Sequence, residues 1–321
     1  MKIALVYCPA VESSGGPAGS ELIMPPIGIC SLSSYLRENG YLSDLFDLLL
    51  EFDTTVLHED LRRPLVDLFG AARSDRAYDP AVLTNLRFCL GLNRSYLSRE
   101  VMRLYEEIEH VSPEIEKRSP NPVRRFFALN AEKMARYDIV GLSIILEEQN
   151  PAALILARWI KALSPDTKIV VGGSGTRLGD WSEGANLIVR GDGEATLLFY
   201  VRAQDESASG ESDSFLAGEA EVQFHECLDV LPTPDYKALF AKYQYLAPVS
   251  IVPLAVTRGC YWSRCLFCSF GWRDDDSERC TAPYRRMSAA KVVADIVSQI
   301  RENGTRFFYF SVDVVDPALL E

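Results

Sequence analysis

No run of the chain approaches the ~20 uninterrupted apolar residues that cross a bilayer. The opening IALVYC is short and followed at once by Pro9, so it reads as a buried strand and not as a secretion leader. The expected location is cytoplasmic, with no membrane partner. Basic character is also scarce: 33 Lys and Arg stand against 45 Asp and Glu, a net charge of −12, with no basic cluster to hold a polyphosphate backbone. Nucleic acid is therefore excluded as an expected partner. The last 71 residues, from Ile251, balance at nine basic and nine acidic, which puts the negative excess in residues 1–250. There is no internal repeat, and eight cysteines in 321 residues make no disulfide scaffold. What remains is an ordinary globular composition, 48% hydrophobic and 24% charged, at a length that suits about two domains.

The first half alternates short apolar runs with helical patterns, the signature of a parallel sheet with crossover helices. Strands are expected at Lys2 to Cys8, Leu42 to Leu48, Ile139 to Ile145, Lys168 to Val171 and Leu187 to Val189. Helices follow from the spacing of Ile29, Leu32 and Leu36, stopped by Gly40, and of Ala153, Leu156, Ile160 and Leu163. From about Glu51 to Arg136 a largely helical insertion interrupts the alternation, with Leu97, Val101, Leu104 and Ile108 as a core stripe. The expected fold class is α/β: a doubly wound, five-stranded parallel sheet spanning residues 1–203. Residues 204–250 read as an acidic loop, Asp205 to Ser214, and a linker extended by Pro232 and Pro234. A second unit, residues 251–321, reads as strand LAVTRG, a cysteine loop, a helix with Val293, Ile296 and Ile300 on one face, and strand Phe307 to Val312.

The cysteine loop carries the chemistry. Cys260, Cys265 and Cys268 are spaced C-x4-C-x2-C, so three thiolates on one tight loop can ligate three corners of an iron-sulfur cluster and leave the fourth open to a small molecule. The competing reading adds Cys280 as a fourth ligand of a structural zinc site, beyond the acidic run Asp274 to Asp276. Cys8, Cys30, Cys89 and Cys227 read as small core residues.

The run TRGCYWSRCLFCSF, followed by YRRMS, a helix and FFYFSVDVVDP, resembles the start of a radical S-adenosylmethionine (radical SAM) domain, with the aromatic Phe267 before the third cysteine. The four-residue first gap departs from the commoner three, and similar CYW loops occur among cobalamin-binding members. MKIALVY, PPIGICSLSSYLRENGY, YDIVGLSI, KIVVGGSG and IVRGDGEATL in turn resemble the Rossmann-like cobalamin-binding domain that precedes the radical domain in that subgroup. The resemblance implies a [4Fe-4S] cluster on Cys260, Cys265 and Cys268, Phe267 beside the adenosyl group, and Ser311 and Asp313 near the methionine end of S-adenosylmethionine. It also implies an external electron donor such as flavodoxin or ferredoxin. Tyr284-Arg285-Arg286-Met287-Ser288 departs from the family's Y-R-x-R-S at Met287.

Ligands of open parallel sheets bind outside the carboxyl ends of the strands. The loops after the later strands hold Ser143, Gly172, Gly173, Gly191 and Gly193, and the resemblance puts the nucleotide tail of cobalamin there. Glycines at 172, 173 and 175 are expected to let backbone approach that ligand, and the helix after Gly193 to offer free amides to a polar group. Gly191-x-Gly193-x-x-Thr196 lacks the third glycine of a dinucleotide fingerprint. None of His58, His110 and His225 has an Asp two residues before it, so no protein histidine is expected on the cobalt. The activity implied is radical methylation of an unactivated carbon in a small molecule, peptide or natural product. Because only 71 residues follow Ser250, too few for the family's partial barrel, the chain is expected to be a truncated form of a longer enzyme. A non-catalytic cobalamin or iron-sulfur protein, and a zinc-stabilised interaction module, are the competing classes.

Overall fold

The computed structural model describes residues 1–11, 22–182, 184–208, 218–219, 224–262 and 283–311. The chain is α/β. It opens with β1 (Ile3–Tyr7), α1 (Ile27–Glu38) and β2 (Ser43–Asp47). The helical insertion follows as α2 (Leu48–Thr55), α3 (Glu59–Ala72), α4 (Pro80–Glu106), α5 (Pro113–Glu116) and α6 (Pro122–Met134). The alternation then resumes with β3 (Ile139–Ser143), α7 (Asn150–Leu163), β4 (Lys168–Gly172), β5 (Leu187–Val189), α8 (Gly193–Ala208) and β6 (Gly218–Glu219). The remainder is α9 (Lys237–Lys242), β7 (Ile251–Leu254), β8 (Thr257–Arg258), β9 (Arg285–Arg286), α10 (Ala289–Asn303) and β10 (Phe307–Phe310).

The main sheet is parallel throughout, in the order β2-β1-β3-β4-β5-β6. The five expected strands are present, and β6 adds a sixth in a stretch expected to be linker. The order reverses at β1, so the crevice beside its carboxyl end is the topological switch point. Alternation along β1 divides two cores. Ile3, Leu5 and Tyr7 face α1 and α8, whereas Ala4, Val6 and Cys8 face α4, α6 and α7. The stripe Leu97, Val101, Leu104 and Ile108 is buried in the second of these. Pro122 opens a helix at its first turn, where its missing N–H costs nothing.

Four expectations are corrected. The acidic stretch from Asp205 is not all loop, because α8 continues to Ala208; the rest of it lies outside the described residues. Leu254 does not begin the second unit's strand but ends β7, and Thr257-Arg258 pairs separately with β9. On α10 only Ile296 of the expected stripe packs inward; Val293 and Ile300 are exposed. The helix instead buries Asp295 and Gln299, because Thr233 and Lys291 satisfy Asp295 and the Gln299 amide donates to Pro234 O at 2.5 Å. Cys227 is exposed at the start of a short 3₁₀ turn, unlike Cys8 and Cys30, which are fully buried; Cys89 is partly buried against the core.

The linker ties both halves together. Tyr236 donates to Pro253 O at 2.6 Å, Asp235 N to Ser34 Oγ at 2.9 Å, and Leu246 N to Leu22 O at 2.8 Å. Val252 and Leu254 of β7 share one apolar core with β1 and α1. No helix among the described residues is long and apolar enough to cross a membrane.

Candidate functional site

A cavity of about 370 Å³ lies between the sheet and the helices α1 and α8, reaching the carboxyl ends of β3, β4 and β5. That volume falls in the range of about 300 to 1,000 Å³ typical of small-molecule sites. Ser143, Gly172, Gly173, Gly191 and Gly193, five residues picked out from the sequence, all line it. Its floor is apolar: Leu5, Val170, Val189 and Leu197. Much of its space comes from missing side chains. A Cβ on Gly141 would lie 2.8 Å from Leu5 Cδ2, one on Gly193 3.1 Å from Leu32 Cδ2, and one on Gly28 3.7 Å from Ser143 Oγ.

The loops around the cavity are fixed by hydrogen bonds. The Gln149 side chain accepts from Ile145 N at 2.7 Å and Leu146 N at 2.9 Å and donates to Cys8 O at 2.5 Å. Asn150 Nδ2 donates to Gly175 O at 2.7 Å, and Gly175 N to Ile144 O at 2.9 Å. This loop-to-loop contact packs backbone closely against two of the glycines. A Cβ on Gly173, whose φ is +107°, would lie 2.3 Å from Ile144 O, and one on Gly175 2.5 Å from Leu146 O. Both are required by the neighbouring backbone. Gly191, at φ +81°, turns the chain from β5 into the acidic start of α8.

At that helix start Asp192 and Glu194 occupy the same wall and are both buried. Their charge is met from the second unit. Arg258 of β8 holds Glu194 through two bonds, of 2.5 and 3.0 Å, and Asp192 at 3.1 Å. Arg285 of β9 donates to Asp192 and to His225 O, the latter at 3.0 Å. Burial pushes the Asp192 carboxyl up, but the two guanidinium groups more than offset this and hold it below its usual range. Burial likewise works against the charge on Arg258, and Glu194 with Asp192 outweighs it.

Arg258 and Ala255 also line the cavity, so the second unit supplies one of its walls. Gly259, at φ +78°, separates Arg258 from Cys260, which is partly exposed. Ser311, just past β10, donates its backbone N–H to Leu254 O at 2.8 Å and so sits beside the same strand end. Cys265, Phe267, Cys268, Cys280 and Asp313 lie outside the described residues. In the YRRMS run Arg285 ion-pairs with Asp192, and Met287 is buried against Leu228 and Leu231. Gly28, Gly141, Asp192, Glu194 and Arg258 were not picked out from the sequence. A glycine inside a buried strand marks close approach of another group, and Gly141 carried that signal.

No protein-family model matches the chain, and no curated protein matches it in sequence. Among solved structures, the radical S-adenosylmethionine methyltransferase TsrM from Kitasatospora setae, with cobalamin and a [4Fe-4S] cluster bound, is similar over 97% of this chain at 13% identity and a TM-score of 0.46. The chain spans about half the length of that protein, 49%.

Proposed function

We propose that the chain belongs to a cobalamin-dependent radical SAM enzyme that methylates an unactivated carbon of a peptide or other natural product. One observation carries the reading: the residue that walls the cavity, Arg258, stands two positions before the first cysteine of the C-x4-C-x2-C loop. The proposed division is residues 1–203 for the corrinoid, 204–250 as linker and 251–321 for the start of the radical domain.

The residues suit these groups. An apolar slot widened by Gly28, Gly141 and Gly193 accepts the flat, uncharged ring of a cobalamin nucleotide tail, while its size does not admit a whole corrinoid. Three thiols on one loop suit an iron-sulfur cluster with an open corner. When bound, the cluster supplies an electron that cleaves S-adenosylmethionine, and cobalamin supplies a methyl group. The chain's own work is placement. Gln149 and Asn150 hold the loops rigid, Leu5, Val170 and Leu197 keep water from the ring, and Ser143 and Ser174 give its edge polar partners. Cys260, Cys265 and Cys268 would be the cluster ligands, with Phe267, Ser311 and Asp313 around S-adenosylmethionine and an external electron-transfer protein such as flavodoxin or ferredoxin as the donor.

Anaerobic reconstitution with iron, sulfide and zinc in competition tests the reading. About four irons per chain, lost in Cys265→Ala, is the expected result. One zinc and no iron would overturn it.

A further inference from the structure

We propose that the pocket between the end of α3 and the linker is a second ligand site, one for a monocarboxylate with a small apolar body, anchored by Arg73. The inference goes beyond the function proposed above and does not depend on it.

The pocket has a volume of about 290 Å³ and is walled by Arg73 on one side and by Phe240, Tyr243, Tyr245, Pro248 and Val249 of the linker on the other. That size sits at the lower end of the range for small-molecule sites, about 300 Å³. It is separate from the first cavity. Its lining stops at Ser250, just before β7, whereas the first cavity takes up Ala255, just after β7, so the two lie at opposite ends of that strand. The two tyrosine hydroxyls are already engaged, since Tyr245 donates to Asp47 and Tyr243 accepts from Asp47 N. Both residues therefore give the pocket rings and leave its polar chemistry to Arg73.

Arg73 is out of balance with the rest of the chain. Arg94, Arg124, Arg258 and Arg285 are each paired with a carboxylate. Arg73 meets none among the described residues, in a chain whose net charge is −12. Its Nη2 donates to Gln244 O at 2.8 Å, its Cζ lies 5.9 Å from the centre of the Phe69 ring, and its Nε is buried without a hydrogen-bond partner. Burial works against the charge on Arg73, and no carboxylate offsets it. Tying α3 to the linker uses one of five N–H donors, and leaves the charge itself unmet. An anion in the pocket supplies what the other four arginines already have. The rest of the lining sets its class. No second cation stands there for a doubly charged phosphate, and the acidic chain disfavours multivalent anions, while the rings, Pro248 and Val249 suit a hydrocarbon body.

The probe is 4-fluorobenzoate, followed by fluorine NMR titration, with neutral 4-fluorobenzamide as its isosteric control. The proteins are the wild type, Arg73→Gln, which removes the cation, and Val249→Trp, which keeps the cation and fills the pocket. The expected result is saturable binding of one benzoate per chain, at least about tenfold tighter than the amide, since a bond to a charged group adds about 1.5 to 3 kcal/mol. Both variants should lose at least the same factor with unchanged far-ultraviolet circular dichroism, and inorganic phosphate at equal concentration should not displace the probe. No saturable binding, equal affinity for the amide, displacement by phosphate, or wild-type affinity in either folded variant overturns the inference. The comparison of benzoate with benzamide uses the wild type alone, so the test stands even where a variant fails to fold.

Discussion

Replacing Asp47 by asparagine should make the stability of this protein much less sensitive to pH. Asp47 ends β2, is 1% exposed and caps α2, accepting from Leu50 N at 3.0 Å. The linker reaches the same residue: Tyr245 donates its hydroxyl to the carboxyl at 3.0 Å, and Asp47 N donates to Tyr243 Oη at 3.2 Å. Burial pushes the carboxyl from its ordinary 3.8 up to about 7, and the two hydrogen bonds it accepts offset only part of that. A raised carboxyl favours the neutral form in the fold, so its contribution is complete in acid and is lost as pH rises through the interval from about 4 to about 7. The full loss is about 4 kcal/mol, of which about 2.5 kcal/mol falls between pH 5 and pH 8. Asparagine keeps an acceptor for Leu50 N and cannot ionise. Urea unfolding of both proteins at pH 5, 6, 7 and 8 should show the wild type losing that amount relative to Asp47→Asn. Parallel pH profiles would refute the argument.

Three further outcomes follow from single contacts. Gly173→Ala should destabilise the fold by about 3 kcal/mol, from a left-handed φ and a Cβ placed against Ile144 O; an unchanged urea midpoint would contradict this. Gly28→Leu should fill the cavity from α1 and lower hydroxocobalamin affinity at least tenfold, while a better helix former keeps stability within about 1 kcal/mol of the wild type; equilibrium dialysis and urea unfolding read the two effects. Arg94→Ala should cost about 3 to 5 kcal/mol, because Arg94 Nε and Nη2 both bond Asp53 Oδ2, at 2.9 and 2.6 Å, and its loss leaves a buried carboxylate. A cost below about 1 kcal/mol would show that water reaches Asp53.

Much of the sheet was legible because parallel strands buried on both faces read as continuous apolar runs. IALVY and IVGLS were placed correctly to within two residues at each end. The second strand was drawn one residue too long at each end, since Asp47 can cap a helix and Leu48 already belongs to it. The α10 stripe misled for a different reason. Periodicity assigns the apolar face inward, but Asp295 and Gln299 found buried polar partners on the linker, and tertiary hydrogen bonds overrode the pattern. The cavity loops were predictable from strand ends alone. The acidic pair and its arginines were not, because Asp192 and Glu194 meet Arg258 and Arg285 across 64 to 93 positions of sequence, and no local signal links them.

Those long-range pairs say something about why β8 and β9 meet the start of α8 through charge. Replacing a buried ion pair by apolar groups is often neutral or stabilising by about 1 to 4 kcal/mol, so stability is a poor reason for this one. The apolar contacts of Tyr236, Val252 and Leu254 already hold the linker and β7 against the first unit. An apolar contact tolerates sliding, whereas a forked guanidinium between two carboxylates admits one arrangement. At the point where the chain leaves the cavity wall for Cys260, register matters more than strength. A slip of one residue there would turn Arg258 away from Glu194. The ion pairs are best understood as fixing that register, and Arg258→Lys, which keeps the charge and loses the fork, should loosen it without dismantling the fold.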